Sequence, residues 1–163
     1  MVKRNSAGFS LIELLVVLVI IGVISVIVWP VYSGLQEKAR DAKRKSDLAS
    51  LSRALEIYKI EHNHYPLGDP NSTRDNWSDS DLSPNGYIQD FISFTDGSLP
   101  SDPLNNSTYH YSYQVFDRGA FGCSKTFYII GVRKFEKQGK ISSFKCPEKD
   151  FGGEFDWALG KYE

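Results

Sequence analysis

The chain has 163 residues, of which 24% are charged and 41% hydrophobic, and its 19 basic and 20 acidic residues give a net charge of −1. This balance excludes a strongly basic protein and argues against a nucleic-acid partner. The length suits one folded domain beside a separate apolar segment, and two cysteines suit an exported domain in which they pair.

A long apolar run stands near the N-terminus. The 21 residues from Phe9 to Trp29 include one charged residue, Glu13. As an α-helix this run would be about 31 Å long, enough to cross the hydrocarbon core of a bilayer. A carboxylate at the bilayer centre costs about 2.5–3.5 kcal/mol, so Glu13 requires a partner that offsets this cost.

Three interpretations of the run compete. A cleaved secretory signal would use Lys3 and Arg4 as its basic region, but the run is too long and no Ala-x-Ala-like site follows it. A plain signal anchor fits the hydropathy and leaves Glu13 unexplained. Cleavage between Gly8 and Phe9 would instead create a positively charged amine, which Glu13 could neutralise in its own or a neighbouring subunit. A pair between neighbours would form at one axial stagger only and would set the register of packed helices.

The third interpretation coincides with a known pattern. The residues Gly8-Phe9-Ser10-Leu11-Ile12-Glu13-Leu14-Leu15-Val16 resemble the class III signal of type IV pilins and type II secretion pseudopilins. The resemblance implies that prepilin peptidase recognises Gly8 and cuts after it. It also implies that Phe9 becomes the methylated N-terminus and that Glu13 is the assembly carboxylate.

Two helix-weakening residues follow in the same segment. Gly22 and Pro30 stand where many major pilins carry a Gly and a Pro. Glycine weakens a helix, and proline removes a backbone donor and clashes with the preceding turn. The resemblance implies that the helix between them can unwind in the filament, and a kink at the membrane boundary is the alternative.

The apolar spacing after Pro30 predicts an amphipathic helix that continues to about His62 and is closed by Tyr65-Pro66. Its second half would form the spine of the outer domain. Residues 37–47 are dense in charge, which permits a DNA-binding or lipid-headgroup face. We favour a solvated helix surface with intrahelical ion pairs.

The outer domain is predicted to begin with a long loop. Residues 66–98 are rich in Asp, Asn, Ser and Gly, with a short helix around residues 86–94. Leu99-Pro100-Ser101-Asp102-Pro103 predicts a rigid turn, and residues 109–113 predict a strand with three tyrosines on one face. Together with Tyr65-Pro66, these segments resemble the Leu-Pro-x-Asp-Pro, Tyr-x-Tyr and Tyr-Pro segments of major pseudopilins.

A hairpin is predicted near the C-terminus, with strands at 126–133 and 140–145 joined across residues 136–139. Cys123 precedes the first strand and Cys146 follows the second, so antiparallel pairing would bring the two cysteines together. A disulfide closing this loop would stabilise the fold by roughly 3 kcal/mol. The pair also resembles the C-terminal disulfide loop of many type IV pilins.

No motif predicts catalysis, a cofactor or a metal site. His62 and His64 lack zinc-site spacing, and neither a phosphate-binding glycine loop nor a nucleophile elbow occurs. The Gly/Asp-rich stretch of calcium-binding major pseudopilins is not found after the predicted tyrosine strand. The carboxylates of Asp150, Glu154 and Asp156 are predicted to be exposed and not to bind a cation.

These observations predict an α+β, type IV pilin-like fold, in which a long N-terminal helix, membrane-spanning in its first half, packs on a small antiparallel β-sheet head. We expect a leader peptide at 1–8, a transmembrane and filament-core helix at 9–31, and an extracellular head at 32–163. The expected partners are prepilin peptidase, identical or homologous pilin subunits, the membrane and an inner-membrane assembly platform.

The predicted function is that of a structural subunit of a type IV pilus or a type II secretion pseudopilus. We expect a single-pass membrane protein whose N-terminus is cytoplasmic before processing, and which then enters an extracellular or periplasmic filament. The alternative is a membrane-anchored minor pilin, or a DNA-uptake (competence) binding module, that does not form the shaft. Loss of filament incorporation on changing Glu13 to Ala would favour the shaft subunit.

Overall fold

The computed structural model describes residues 9–84, 86–95, 97–141 and 144–163, without the side chains of residues 27–31. The leader predicted at residues 1–8, with Gly8, lies outside the described residues. The chain divides into two compact units, Met1–Glu37 and Lys38–Glu163. A single helix contributes residues to both units.

Helix α1 (Leu11–His62) is 52 residues long and confirms the predicted long helix and its end. Asn63 ends it with a left-handed backbone (φ 61°), and the Asn63 N–H donates to the carbonyl oxygen of Lys59 at 2.7 Å. This is a common way to satisfy a terminal helical carbonyl. Gly22 and Pro30 both lie inside α1.

The membrane-spanning part of the fold prediction is not confirmed. In the parts of the chain that the structure describes, no helix has the length and apolarity of a membrane span.

The described part of the head contains seven strands: β1 (Thr73–Arg74), β2 (Trp77–Asp79), β3 (Tyr111–Phe116), β4 (Phe127–Val132), β5 (Lys145–Cys146), β6 (Lys149–Asp150) and β7 (Trp157–Tyr162). Five of them form an antiparallel sheet in the order β1-β2-β3-β4-β7, and β5 pairs separately with β6. The predicted combination of a helix and a small antiparallel sheet is confirmed.

One face of the sheet packs on the second half of α1. The helix contributes residues at helical spacing that are at most 6% exposed: Leu48, Leu51, Leu55 and Tyr58. The sheet contributes the inward-facing side chains of two neighbouring strands: Tyr111, Tyr113, Tyr128, Ile130 and Val132. Burial of each aliphatic side chain stabilises the fold by about 1.5–3 kcal/mol. The predicted tyrosine face is confirmed for Tyr111 and Tyr113, although the strand begins only at Tyr111.

The predicted C-terminal hairpin is wrong. All six residues of β4 pair with β3 on one side and with β7 on the other, so residues 140–145 have no place beside it. Every β4 side chain is buried, which requires cover on both faces of the sheet. The chain between β4 and β7 supplies this cover with Phe144, Phe151 and Phe155, which pack against Phe127 and Ile129. The strand β7 was not predicted.

The disulfide forms although the hairpin does not. Cys123 and Cys146 are bonded, with their Cα atoms 5.3 Å apart. Cys123 follows a short 3-10 turn (Ala120–Gly122), and Cys146 ends β5. The Glu148 N–H donates to the carbonyl oxygen of Phe121 at 3.1 Å, which holds the two segments together beside the bond.

The stretch predicted as loop also contains a hairpin. Strands β1 and β2 are joined by Asp75 and Asn76, which have φ values of 52° and 66°. Two consecutive residues with positive φ form the turn that suits a two-residue hairpin. The helix predicted around residues 86–94 is a 3-10 turn at Ile92–Phe94.

Candidate assembly site

The start of α1 brings Glu13 back to the chain that precedes it. The Ser10 N–H donates to Glu13 Oε2 at 2.8 Å, and the Ser10 carbonyl accepts from the Leu14 N–H at 3.2 Å. Serine followed three residues later by glutamate is a capping box, in which the glutamate satisfies a backbone donor at the helix start. Phe9 precedes it with 88% of its surface exposed. Glu13 therefore has a partner that the sequence analysis did not identify.

The hydrogen bond from the Ser10 N–H uses only part of the accepting capacity of the Glu13 carboxylate. A carboxylate accepts about four hydrogen bonds, so Glu13 retains the capacity to accept from an amine as well. A negative charge in the first turn of a helix is also favourable by about 0.3–1 kcal/mol. The geometry thus shows Glu13 as a helix cap that keeps the capacity to accept from a further donor.

The first unit presents apolar side chains all around its helix. From Leu11 to Val26, the large hydrophobic side chains are between 49% and 82% exposed. A helix that is hydrophobic on every side requires burial in a larger apolar environment. Ser25 suits such an environment, because its hydroxyl donates to the Ile21 carbonyl at 2.7 Å. A Cβ added at Gly22 would meet nothing within 4 Å, so packing inside the subunit does not require this glycine.

The charged segment of the second unit is partly buried, which corrects the expectation of a solvated surface. The predicted intrahelical ion pairs are confirmed by Asp41–Arg44 and Lys43–Asp47. Arg44 is 0% exposed and Asp41 is 3% exposed. Arg44 donates through Nε and Nη2 to both oxygens of Asp102, at 2.6 and 2.9 Å. Its Nη1 donates to Asp41 at 2.7 Å and to Glu136 at 2.8 Å. We refer to Asp41, Arg44, Asp102 and Glu136 as the Arg44 cluster.

The Arg44 cluster joins α1 to two loops of the head. Asp41 accepts the backbone N–H groups of residues 136, 137 and 138 at 2.9–3.0 Å. Asp102 lies in the predicted Leu-Pro-x-Asp-Pro turn and also accepts the Leu104 N–H at 2.9 Å. The loops that contain Asp102 and Glu136 are therefore fixed on the helix by the Arg44 guanidinium and by the carboxylates that it contacts.

The electrostatics of this cluster favour its charged state. Burial by itself would raise the pKa of Asp41, but three backbone N–H donors and Arg44 hold that pKa below its ordinary value. Hydrogen bonds from Arg40 lower the pKa of Glu136. Burial would lower the pKa of Arg44, but its hydrogen bonds to Asp102 and Glu136 raise that pKa above the ordinary range. Part of the Arg44 cluster could be predicted from the sequence, because Asp41 and Arg44 are three residues apart on the helix and can form an ion pair.

The predicted site residues fall in two places. Phe9, Glu13, Gly22 and Pro30 lie in the first unit, and Cys123 and Cys146 in the second. His62 stacks on Tyr58 with ring centroids 4.1 Å apart.

The three tail carboxylates have protein partners. Asp150 accepts the Gly152 N–H, Glu154 pairs with Lys149, and Asp156 accepts the Phe135 N–H.

Comparison with known proteins gives matches along most of the chain. Residues 3–29 match the family model of the prokaryotic N-terminal methylation motif, and residues 32–124 match that of the type II secretion system (T2SS), protein G. The chain is 35% identical to the type II secretion system core protein G of Aeromonas hydrophila over 126 residues, 75% of this chain and 80% of that protein.

Two further relatives carry the same description. The Vibrio cholerae protein is 32% identical over 129 residues, covering 76% of this chain and 80% of its own length. The Escherichia coli protein is 48% identical over 59 residues, covering 36% of this chain and 41% of its own length. No solved structure matches the chain.

Proposed function

Because this chain belongs to the type II secretion system protein G family, whose members are structural subunits of the pseudopilus, we propose that it forms a pseudopilus shaft through its N-terminal helix. Prepilin peptidase cuts after Gly8, Phe9 becomes the methylated N-terminus, and identical or homologous subunits then stack. The match to residues 3–29 supports the processing step. The protein G match favours the secretion pseudopilus over a type IV pilus or a competence filament.

The exposed apolar surface of α1 carries the proposal. Thirteen large hydrophobic side chains between Leu11 and Val26 are 49–82% exposed within the subunit, and Phe9, which precedes the helix, is 88% exposed. Each stabilises an assembly by about 1.5–3 kcal/mol when it is fully buried. Before assembly the inner membrane covers this surface, and in the periplasmic filament the helices of neighbouring subunits replace the lipid. Gly22 and Pro30 then allow the segment between them to unwind and to adapt to the packing.

Glu13 sets the stagger between subunits in this proposal. After cleavage the Phe9 amine is positively charged, and it offers the carboxylate of a neighbour a charge-assisted hydrogen bond. The apolar surroundings strengthen this attraction and penalise a carboxylate without a partner. Helices that are out of register would leave Glu13 unpaired, and this arrangement would be less stable than the paired one.

Two variants separate the charge of Glu13 from its capping role. Glu13→Gln keeps an acceptor for the Ser10 N–H, as capping boxes with glutamine do, and removes the negative charge. Glu13→Ala removes both. We expect both variants to be processed and methylated, and both to be absent from sheared filaments. Intact mass reports processing, and immunoblots of the filament fraction report assembly.

The outcomes decide between the roles. Normal filaments from Glu13→Gln would contradict the charge-pairing role and leave only the cap. Filaments from Glu13→Ala as well would contradict the assembly proposal for this residue. A wild-type mass that still includes residues 1–8 in mature cells would contradict peptidase processing.

A further inference from the structure

A cluster outside the assembly elements combines two carboxylates and an imidazole. Asp79, Asp81 and His110 each place one potential metal-ligand atom within 4.8 Å of the other two. Asp79 ends β2, and His110 directly precedes β3, to which β2 is hydrogen-bonded. Residues 31 apart in sequence are thus brought together by strand pairing, which is why the sequence analysis predicted no metal site.

The Asp79 carboxylate has an oxygen without a hydrogen bond. Asp79 is 0% exposed, and its Oδ1 accepts from the Ser112 hydroxyl at 2.5 Å. Its Oδ2 is the buried side-chain atom that lacks a hydrogen-bond partner among the described residues. A buried acceptor left in this state costs about 1–3 kcal/mol, and more when it is charged. Oδ2 lies 3.4 Å from His110 Nε2, so it faces the middle of the cluster.

The backbone contact of His110 leaves its Nε2 available to a metal when the ring is neutral. Its Nδ1 lies 3.0 Å from the carbonyl oxygen of Asn106. A carbonyl only accepts, so Nδ1 carries the proton of the neutral ring and Nε2 presents a lone pair. A backbone carbonyl in this position is the usual outer partner of a metal-binding histidine. The ring is 3% exposed, which keeps its orientation fixed.

A cationic group of the protein occupies the point where these ligands converge. Arg74 Nη1 is 3.4 Å from Asp79 Oδ2, 3.4 Å from Asp81 Oδ1 and 3.5 Å from His110 Nε2. The Nη1 distances are long for hydrogen bonds, whereas Arg74 Nη2 donates to Asp81 Oδ2 at 2.9 Å. The guanidinium is therefore held by Asp81 and leaves Asp79 Oδ2 and His110 Nε2 without a close donor among the described residues. The Arg74 side chain is 34% exposed on the edge strand β1, from which it can turn towards solvent.

We propose that Asp79, Asp81 and His110 bind a divalent transition-metal ion, with Zn²⁺ as the best match, and that the ion takes the place of the Arg74 guanidinium. One nitrogen and two carboxylate oxygens suit Zn²⁺ or Mn²⁺ better than Ca²⁺, which prefers six to eight oxygen ligands. Tetrahedral ligands about 2.1 Å from Zn²⁺ are about 3.4 Å apart, and His110 Nε2 and Asp79 Oδ2 are 3.4 Å apart. The Asp81 carboxylate lies 3.8 Å from His110 Nδ1, so it would shift towards Nε2 when the ion enters. The ion would fasten the β1–β2 hairpin to the start of β3.

The test is isothermal titration of Zn²⁺ into the processed full-length chain in detergent, after removal of metal. The reference protein carries His62→Asn and His64→Asn, which removes adventitious Zn²⁺ binding at these two histidines, whose rings are 6.2 Å apart, as a source of signal. We expect one Zn²⁺ per chain, loss of binding in His110→Asn and Asp81→Asn, and no displacement by excess Ca²⁺.

The Zn²⁺ affinity of Arg74→Ala distinguishes a metal site from an ion-pair cluster with a purely structural role. Removal of the competing guanidinium is expected to tighten Zn²⁺ binding, whereas a structural cluster would only lose stability. Circular dichroism verifies that each variant is folded, and Asp81→Asn, at the more accessible carboxylate, replaces His110→Asn if the latter does not fold. The proposal is overturned if neither the reference nor Arg74→Ala binds Zn²⁺, or if folded His110→Asn or Asp81→Asn binds it unchanged.

Discussion

The side chain with the most consequential environment in the head is Arg44. It is fully buried and donates to three carboxylates, those of Asp41, Asp102 and Glu136. A buried charge is tolerated only when it is paired and hydrogen-bonded, and Arg44 meets both conditions. Its planar guanidinium also forms the two parallel bonds to Asp102 that a lysine would not form.

Replacement of Arg44 by Met should therefore be strongly destabilising. It removes the positive charge and leaves buried carboxylates uncompensated, so we expect the free energy of unfolding to fall by about 3–5 kcal/mol. Urea unfolding followed by circular dichroism measures the change. Arg53→Met is the matched control, because Arg53 is exposed on the same helix and its effect should stay within about 0.5 kcal/mol. Equal losses in the two variants would contradict this account of Arg44.

The Arg44 cluster makes the folding stability of the head depend on pH in the acidic range. The folded-state pKa values of Asp41 and Glu136 are lowered, so both carboxylates bind protons less readily when folded than when unfolded. Their stabilisation is complete above the unfolded pKa values, near 4, and is lost as pH falls through the lower folded values.

Unfolding free energies at pH 6 and pH 3 test this. We expect a marked loss of stability in the wild type and a smaller one in Asp41→Asn combined with Glu136→Gln. Parallel losses in both proteins would show that other groups dominate acid unfolding.

Strand β4 depends on close packing. Its Gly131 faces Phe155, and a Cβ built there would lie 2.4 Å from Phe155 Cδ1. The glycine is thus needed for the aromatic ring that covers the second face of the sheet. The predicted partner of this strand was the segment 140–145, whereas the actual partners are β3 and β7.

Gly131→Ala tests the packing at the element scale. Overpacking against Phe155 should cost about 1–3 kcal/mol in the free energy of unfolding, although alanine is favoured over glycine in a strand interior by about 0.5–1 kcal/mol. At Gly139 an added Cβ meets nothing within 4 Å, so Gly139→Ala should be nearly neutral. A Gly131→Ala protein as stable as the wild type would mean that Phe155 moves aside without cost.

At the scale of the whole molecule, the Cys123–Cys146 bond closes a loop across 23 residues that includes β4. It stabilises chiefly by restricting the unfolded chain, by about 3 kcal/mol for a loop of this size. We expect a double Cys→Ser variant to lose about that much free energy of unfolding while keeping its fold. Unchanged unfolding of the wild type under reducing and oxidising conditions would contradict this contribution.

The long N-terminal helix and its end, and the family match of residues 3–29, could be predicted from the amino-acid sequence alone. The class III signal, the long apolar run and the end of α1 near Tyr65-Pro66 are local patterns whose meaning does not depend on distant residues. The position of Glu13 predicted an ionic role, whereas its observed hydrogen bond to the Ser10 N–H belongs to a capping box. That pattern was also readable from four consecutive residues.

The strand pairing and buried clusters of the head follow from long-range contacts that the sequence pattern does not indicate. Whether residues 37–47 are solvated depends on Asp102 and Glu136, which lie far along the chain, and charge density alone does not indicate burial. The partner of β4 is chosen by the need to cover both of its faces, which residues 144–155 and β7 meet together. Likewise, Asp79 and His110 meet because β2 pairs with β3. Each of these outcomes follows from non-local pairing and burial, which short-range spacing does not encode.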